Sequence, residues 1–187
     1  MLREAQASLD GSGLGNVELI QADASHLPQF SSSTFDAVTC ATGLLYLPYA
    51  RALREWHRLL TPHGIVAFSN MAAGYPRAAA IFRECAGALG IALADPTAPL
   101  GTASACRTAL EETGFTVEKI VSEAIEFSDD DLRLAWESNF GSVAYAAARA
   151  LPEPQQHALR SGFLAALARE PRESLRRAEM LYVVAHR

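Results

Sequence analysis

An α/β fold with an open, mostly parallel sheet is predicted by three short buried-strand signals between Asn16 and Ser69, each running into a turn or a helix. Val17 to Ile20 is β-branched and ends on the polar Gln21 and Asp23. Phe35 to Cys40 carries apolar residues at Phe35, Ala37, Val38 and Cys40, and Ile65 to Ser69 is a nearly unbroken apolar run of the kind covered on both faces. In such sheets ligands sit beyond the carboxyl ends of the strands.

The elements between and around these strands follow in order. Leu2, Ala5 and Leu9 have helical spacing, and the turn cluster Asp10 to Gly15 follows them. Pro48 opens a helix from Tyr49 to Leu60, with Ala52, Leu53, Trp56, Leu59 and Leu60 on one face, and Thr61-Pro62-His63-Gly64 is expected to end it. Helices are expected over Arg77 to Leu89 and Ser104 to Thr113, the second stopped by Gly114. Phe115 to Phe127 alternates like a strand, and Glu179 to His186 has the aromatic and β-branched density of its partner. Between them Asp129 to Asn139, Val143 to Leu151 and Glu153 to Ala168 read as three amphipathic helices, punctuated by Gly141, Pro152 and Pro154. We take residues 128–177 as a helical insertion that lids the site, within one domain over 1–187.

Bulk properties narrow the function classes. With 187 residues, half of them hydrophobic, the chain can bury one substantial core but not two full domains. A formal charge of -5 argues against nucleic acid as a partner, because phosphate-tracking surfaces concentrate positive charge. No apolar run approaches the roughly 20 residues that span a bilayer, so no membrane partner is expected and a cytoplasmic protein is. Cys40, Cys85 and Cys106 lie apart in apolar surroundings, which suits free thiols in a reducing compartment. The five histidines lack metal-ligand spacing with one another or with cysteine, so no metal is assigned. His57 and Arg58 are expected on a solvated helix face.

The stretches NVELIQADASHLPQF, STFDAVTCATGLLYLP and ARALREWHRLLTPHGIVAFS together resemble the central part of a class I S-adenosylmethionine-dependent methyltransferase of the small-molecule branch. The resemblance runs over about Met1 to Phe127 plus the last strand. It implies a Rossmann-like sheet with helices on both faces, S-adenosylmethionine as cofactor, and methyl transfer to a small organic acceptor. The family's first strand, its acidic glycine-rich loop and its second strand have no counterpart before Asn16, so the domain is N-terminally incomplete by two strands. In the family those strands lie between the counterparts of Val17 to Ile20 and Phe35 to Cys40, a span of about 14 Å at about 4.8 Å per strand. Exposed strand edges invite pairing. The expected remedies are a rearranged sheet, a partner chain or homodimer, or a segment upstream of Met1.

The resemblance also assigns residues. Asp23 would accept from the adenine amine while the Ala24 N–H donates to the ring, and Leu27 would cover a face of the base. Taken alone, an Asp at a strand end is also a common turn former. Cys40, Ala41, Thr42 and Gly43 would line the methionine moiety and the sulfonium, where small residues permit near-contact alignment. Tyr46 follows that turn and could orient an acceptor hydroxyl, or pack as an amphipathic aromatic at the domain edge. Trp136, Phe140 and Tyr145 could form an apolar acceptor pocket, a spacing that plain core packing also produces. Gly11-Ser12-Gly13-Leu14-Gly15 has no strand before it and no helix after it, so it reads as a connector, and a nicotinamide oxidoreductase is disfavoured. The competing class is a non-catalytic remnant of the fold that serves as an interaction module.

Overall fold

A computed structural model describes residues 2–187. Among them, strands β1 (Phe35–Ala41), β2 (Leu60–Met71), β3 (Thr116–Glu126) and β4 (Arg177–His186) form one sheet in the order β1-β2-β4-β3. β1 and β2 pair in parallel, whereas β4 runs antiparallel to both β2 and β3. β1, β2 and β3 therefore share one direction, and their carboxyl ends define a common rim. Helix α2 (Tyr49–Leu59) makes the crossover between the parallel pair.

The helix expected over Tyr49 to Leu60 ends one residue early, and Thr61 to Gly64 proves to belong to β2 rather than to a helix stop. The pairing with β1 slips there, from Phe35 opposite Leu60 to Ala37 opposite Ile65, and His63 takes a left-handed φ of 69°. Thr61 to Gly64 thus forms an irregular lead-in that absorbs extra residues before the regular ladder starts at Ile65.

Val17 to Ile20 is not a strand. Val17, Leu19 and Ile20 are 45%, 36% and 43% exposed, and none of them has a ladder partner among the described residues. An alternating segment becomes a strand only when neighbours take its N–H and C=O groups. The nearest strand of the chain order, β1, is joined to β2 on one side and open on the other. Helix α1 (Leu2–Asp10) forms as expected but buries no residue.

One sheet face carries the main core. Val66, Phe68, Leu181, Val183 and Ala185 pack against Ala52, Leu53 and Trp56 of α2 and against Cys106, Ala109 and Leu110 of α4 (Ala103–Glu111). The alternate residues point the other way, and Ile65 and Tyr182 there remain 38% and 41% exposed.

A second core forms among helices. Phe82, on α3 (Arg77–Ala88), packs with Ala135 of α6 (Ala135–Gly141), Ala148 of α7 (Ala146–Arg149), and Leu159 and Phe163 of α8 (Glu153–Leu167). The expected helix Asp129 to Asn139 is broken into α5 (Asp129–Arg133) and α6, and Val143 to Leu151 into a 3-10 turn and α7. α9 (Arg172–Arg176) adds a last turn before β4. α5 begins with a full capping box, in which Ser128 and Asp131 exchange side-chain and backbone bonds. The acidic run at Asp129 to Asp131 is therefore a helix start, as its composition suggests.

Candidate functional site

Two segments carry the residues singled out in the sequence. The first is the loop from Asp23 to Phe30, which α2 holds in place. Trp56 Nε1 donates to the Ala24 carbonyl at 2.8 Å, and Glu55 Oε1 accepts the Leu27 N–H at 2.8 Å. Arg58 donates to the carbonyls of Leu27 at 3.2 Å and Phe30 at 3.0 Å while pairing with both oxygens of Glu55. Arg58, though partly exposed, is thus a clamp between helix and loop. His57 is half-buried, edge-on to Phe115 with ring centroids 5.1 Å apart, and burial holds its pKa below the usual value.

Within the loop Asp23 Oδ1 accepts from Ser25 N at 2.9 Å and Ser25 Oγ at 2.8 Å. These two bonds hold its carboxyl below the ordinary Asp value. Asp23 is therefore both a turn former and an ionised acceptor, because Oδ2 takes no bond among the described residues. The Ala24 N–H likewise has no acceptor among them. An unfilled acceptor and an unfilled donor on consecutive residues match what the edge of an adenine ring presents.

The second segment is the turn after β1. Thr42 holds a left-handed φ of 52° and is fixed by Ser69 of β2, whose backbone carbonyl and side-chain oxygen both accept the Thr42 N–H at 3.2 Å. At Gly43 a Cβ would come within 3.1 Å of Cys40 Sγ, so a larger residue would have to push the thiol aside. Burial raises the Cys40 pKa above its ordinary value, which keeps the thiol protonated and leaves it a packing role.

The two segments meet. Ala24, Leu27 and Phe30 from the loop, Val38 and Cys40 from β1, and Gly43 from the turn line one groove of about 470 Å³, floored by Trp56 and Leu59. Of the seven residues expected around the cofactor, Ala24, Leu27, Cys40 and Gly43 line it directly. Asp23 adjoins it through Ala24, while Ala41 and Thr42 connect Cys40 to Gly43. The residues expected around the acceptor are dispersed. Tyr46 is 56% exposed just beyond the turn. Tyr145 is only 3% exposed, stacked on Phe82 at 5.4 Å, with its hydroxyl bonded by Arg83 at 2.9 Å. Trp136 and Phe140 stack on each other at 4.8 Å against the same cluster. These three are packed in the second core and line none of the walls of the groove.

Sequence reasoning did not find Glu55, Trp56 and Arg58 as positioning residues, or Asn70. The Glu55–Arg58 spacing of three on a helix is a legible ion-pair signal, but the loop N–H and carbonyls they bind are 28 to 31 residues away. Asn70 interrupts an apolar strand and is 1% exposed. Its Nδ2 donates to the Leu100 carbonyl at 3.0 Å, and its Oδ1 is buried without a partner among the described residues.

The Glu55–Arg58 pair has a pH signature. Bonding to Arg58 holds the Glu55 carboxyl down to about 2, from an ordinary 4.5. A depressed carboxylate stabilises the fold fully above its unfolded value, so this contribution is lost as pH falls from about 4.5 towards 2. After discounting for the solvent reaching Arg58, it amounts to about 1–2 kcal/mol. Urea unfolding at pH 7 and pH 3 is expected to show that loss in the native chain and a smaller one in Glu55→Gln.

The groove defines a class: a Rossmann-like α/β protein with an unfilled acceptor and an unfilled donor on the loop before β1 and a small-residue turn after β1. Residues 1–68 match the family model described as a methyltransferase domain. A demethylmenaquinone methyltransferase of Geobacillus kaustophilus is 41% identical over 66 residues, which make up 35% of this chain and 28% of that one. The matched stretch is therefore little more than a quarter of that relative's length. Among solved structures, a candidate methyltransferase of Bacillus halodurans covers 99% of this chain and 78% of its own at a TM-score of 0.65 and 20% identity. The [4+2]-cyclase SpnF covers 98% and 60% at a TM-score of 0.52 and 21% identity. At these identities the structures share the fold, which hosts more than one chemistry.

Proposed function

We propose that this chain forms part of an S-adenosylmethionine-dependent methyltransferase acting on a small organic acceptor. The observation that carries this reading is the convergence of Ala24, Leu27, Cys40 and Gly43 on one groove, with the unfilled Asp23 Oδ2 and Ala24 N–H beside it. Asp23 would accept from the adenine amine, the Ala24 N–H would donate to the ring, and Leu27 would cover the base. Cys40 to Gly43 would flank the methionine end, their small size leaving the reacting carbon open to its acceptor. The cofactor supplies an electrophilic methyl group on a sulfonium. The protein contributes alignment and exclusion of water, which together account for much of such a barrier.

Further parts of the reading rest on less. Tyr46, exposed beside the turn, would border the acceptor, and the helices over 128–177 would lid that side. The name of the Geobacillus relative makes a quinone the first acceptor to assay. No described helix is long and apolar enough to cross a membrane, in keeping with a cytoplasmic enzyme. The free edge of β1 calls for a covering strand, from a second copy or from a longer polypeptide.

Calorimetric titration with S-adenosylhomocysteine tests the reading. Saturable binding is expected, weakened about tenfold in Asp23→Ala by the loss of one charge-assisted hydrogen bond. Absence of both heat and thermal shift at millimolar ligand would instead favour a non-catalytic interaction module.

A further inference from the structure

The open side of β1 is shaped for a strand. Ala37, Val38, Thr39 and Cys40 all line the groove of about 470 Å³. Successive residues of a strand point to opposite faces of the sheet. A groove touched by four in a row therefore runs along the backbone edge of β1 rather than over one face, and Phe35, Leu47 and Leu59 give it apolar walls. Such an edge takes an extended segment through its unpaired N–H and C=O groups, with apolar side chains filling the space beside them. Edges that stay in water are commonly guarded by lysine or proline. Phe35–Ala41 has Asp36 as its one charged residue and no proline.

The chain also carries a segment with the complementary need. Every residue from Leu2 to Ala22 except Leu9 is exposed, and α1 buries none of its own. Leu14, Val17, Leu19 and Ile20 stand in solvent along this arm. Val17 to Ile20 has the composition of a strand and no ladder partner among the described residues. Within its own chain it is separated from β1 by the 23–30 loop, which is pinned to α2 at Ala24, Leu27 and Phe30.

We propose that two copies of this chain dimerise by exchanging arms, Val17 to Ile20 of each copy adding as a strand to the free edge of β1 in the other. Reciprocal exchange closes after two copies, so no filament forms. Residues 2–22 and 35–41 give each copy about 28 residues for the contact, within the roughly 20–30 a side, or about 800 Å² per partner, of a standard stable interface. Val17 and Leu19, two apart, share one face and fill the apolar groove of the other copy. The exchanged strand lies along Phe35 to Thr39 and walls the groove, while the carboxyl end of β1, from Cys40 to Gly43, stays open.

The test is analytical ultracentrifugation of the full chain, with hydrogen exchange read by mass spectrometry, in the absence of any nucleoside. A dimer with a dissociation constant in the micromolar range is expected, and the amides of 17–20 and of β1 should exchange more slowly as the chain concentration rises through that range. Leu19→Pro removes a backbone donor and cannot continue a ladder, so it is expected to weaken dimerisation at least about tenfold and to free both segments. Leu19 is exposed in its own chain, so the circular dichroism and urea midpoint of the monomeric variant should match those of the native monomer. A monomer at concentrations well above the micromolar range, a dimer untouched by Leu19→Pro, or protection of β1 without protection of 17–20, as direct pairing of two β1 edges gives, would each overturn the assignment. None of these outcomes depends on S-adenosylhomocysteine binding, so this inference and the proposed function fail separately.

Discussion

Trp56→Ala is expected to destabilise the chain by about 3–5 kcal/mol, a large part of the 5–15 kcal/mol typical of a folded domain. Trp56 is 4% exposed in the main core, and its indole also holds the Ala24 carbonyl at 2.8 Å. The substitution therefore opens a cavity under α2 and releases the 23–30 loop at once. Trp56→Phe separates the two effects. It retains most of the apolar area and loses the bond to Ala24, so a cost of about 1–2 kcal/mol is expected, together with weaker S-adenosylhomocysteine binding. Urea midpoints with calorimetry on both variants check this. Full cofactor affinity in Trp56→Phe would show that the loop holds its shape without the indole.

Phe82→Ala should have an effect of similar size, about 3–5 kcal/mol, but in a different place. Phe82 is fully buried and touches Trp136, Tyr145 and Phe163 at centroid distances of 5.8, 5.4 and 5.6 Å. Its loss removes the common contact of α3, α6 and α8, while the sheet and α2 keep theirs. Amide hydrogen exchange is expected to show α6 and α8 opening first, with β2 and β4 still protected. The chain has two tryptophans, one in each core. In a Trp56→Phe background, Trp136 emission alone reports on the second core, and uniform loss of protection across both cores would contradict the division.

These partitions explain what could be read from the amino acids alone. α2 and β4 were legible because their apolar period matches the face they bury, as with Ala52, Leu53, Trp56 and Leu59 on α2. Val17 to Ile20 has the same alternation, yet alternation states only that a residue can line a pleat. It says nothing of which strand stands beside it, and among the described residues none does. Thr61 to Gly64 misled for a related reason. A Pro and a Gly mark irregular backbone, but the irregularity was a slip in a ladder rather than a loop. Ala24, Leu27, Cys40 and Gly43, expected together from family likeness, line one groove. The Glu55 and Arg58 contacts depend on a fold-level meeting of helix and loop that no local spacing encodes. Tyr145 and Trp136 carry the composition of a binding pocket and the packing of a core, and only their neighbours distinguish the two.

The left-handed Thr42 gives the rim a mechanical character. A β-branched residue at a φ of 52° sits in a conformation costing about 1–3 kcal/mol, and the two contacts from Ser69 offset that cost. The lip above the groove is accordingly a sprung catch: freed from Ser69, its backbone would relax towards an extended path and carry Gly43 with it. Any occupant that competes for the Ser69 oxygens would loosen the very turn that bounds its own berth.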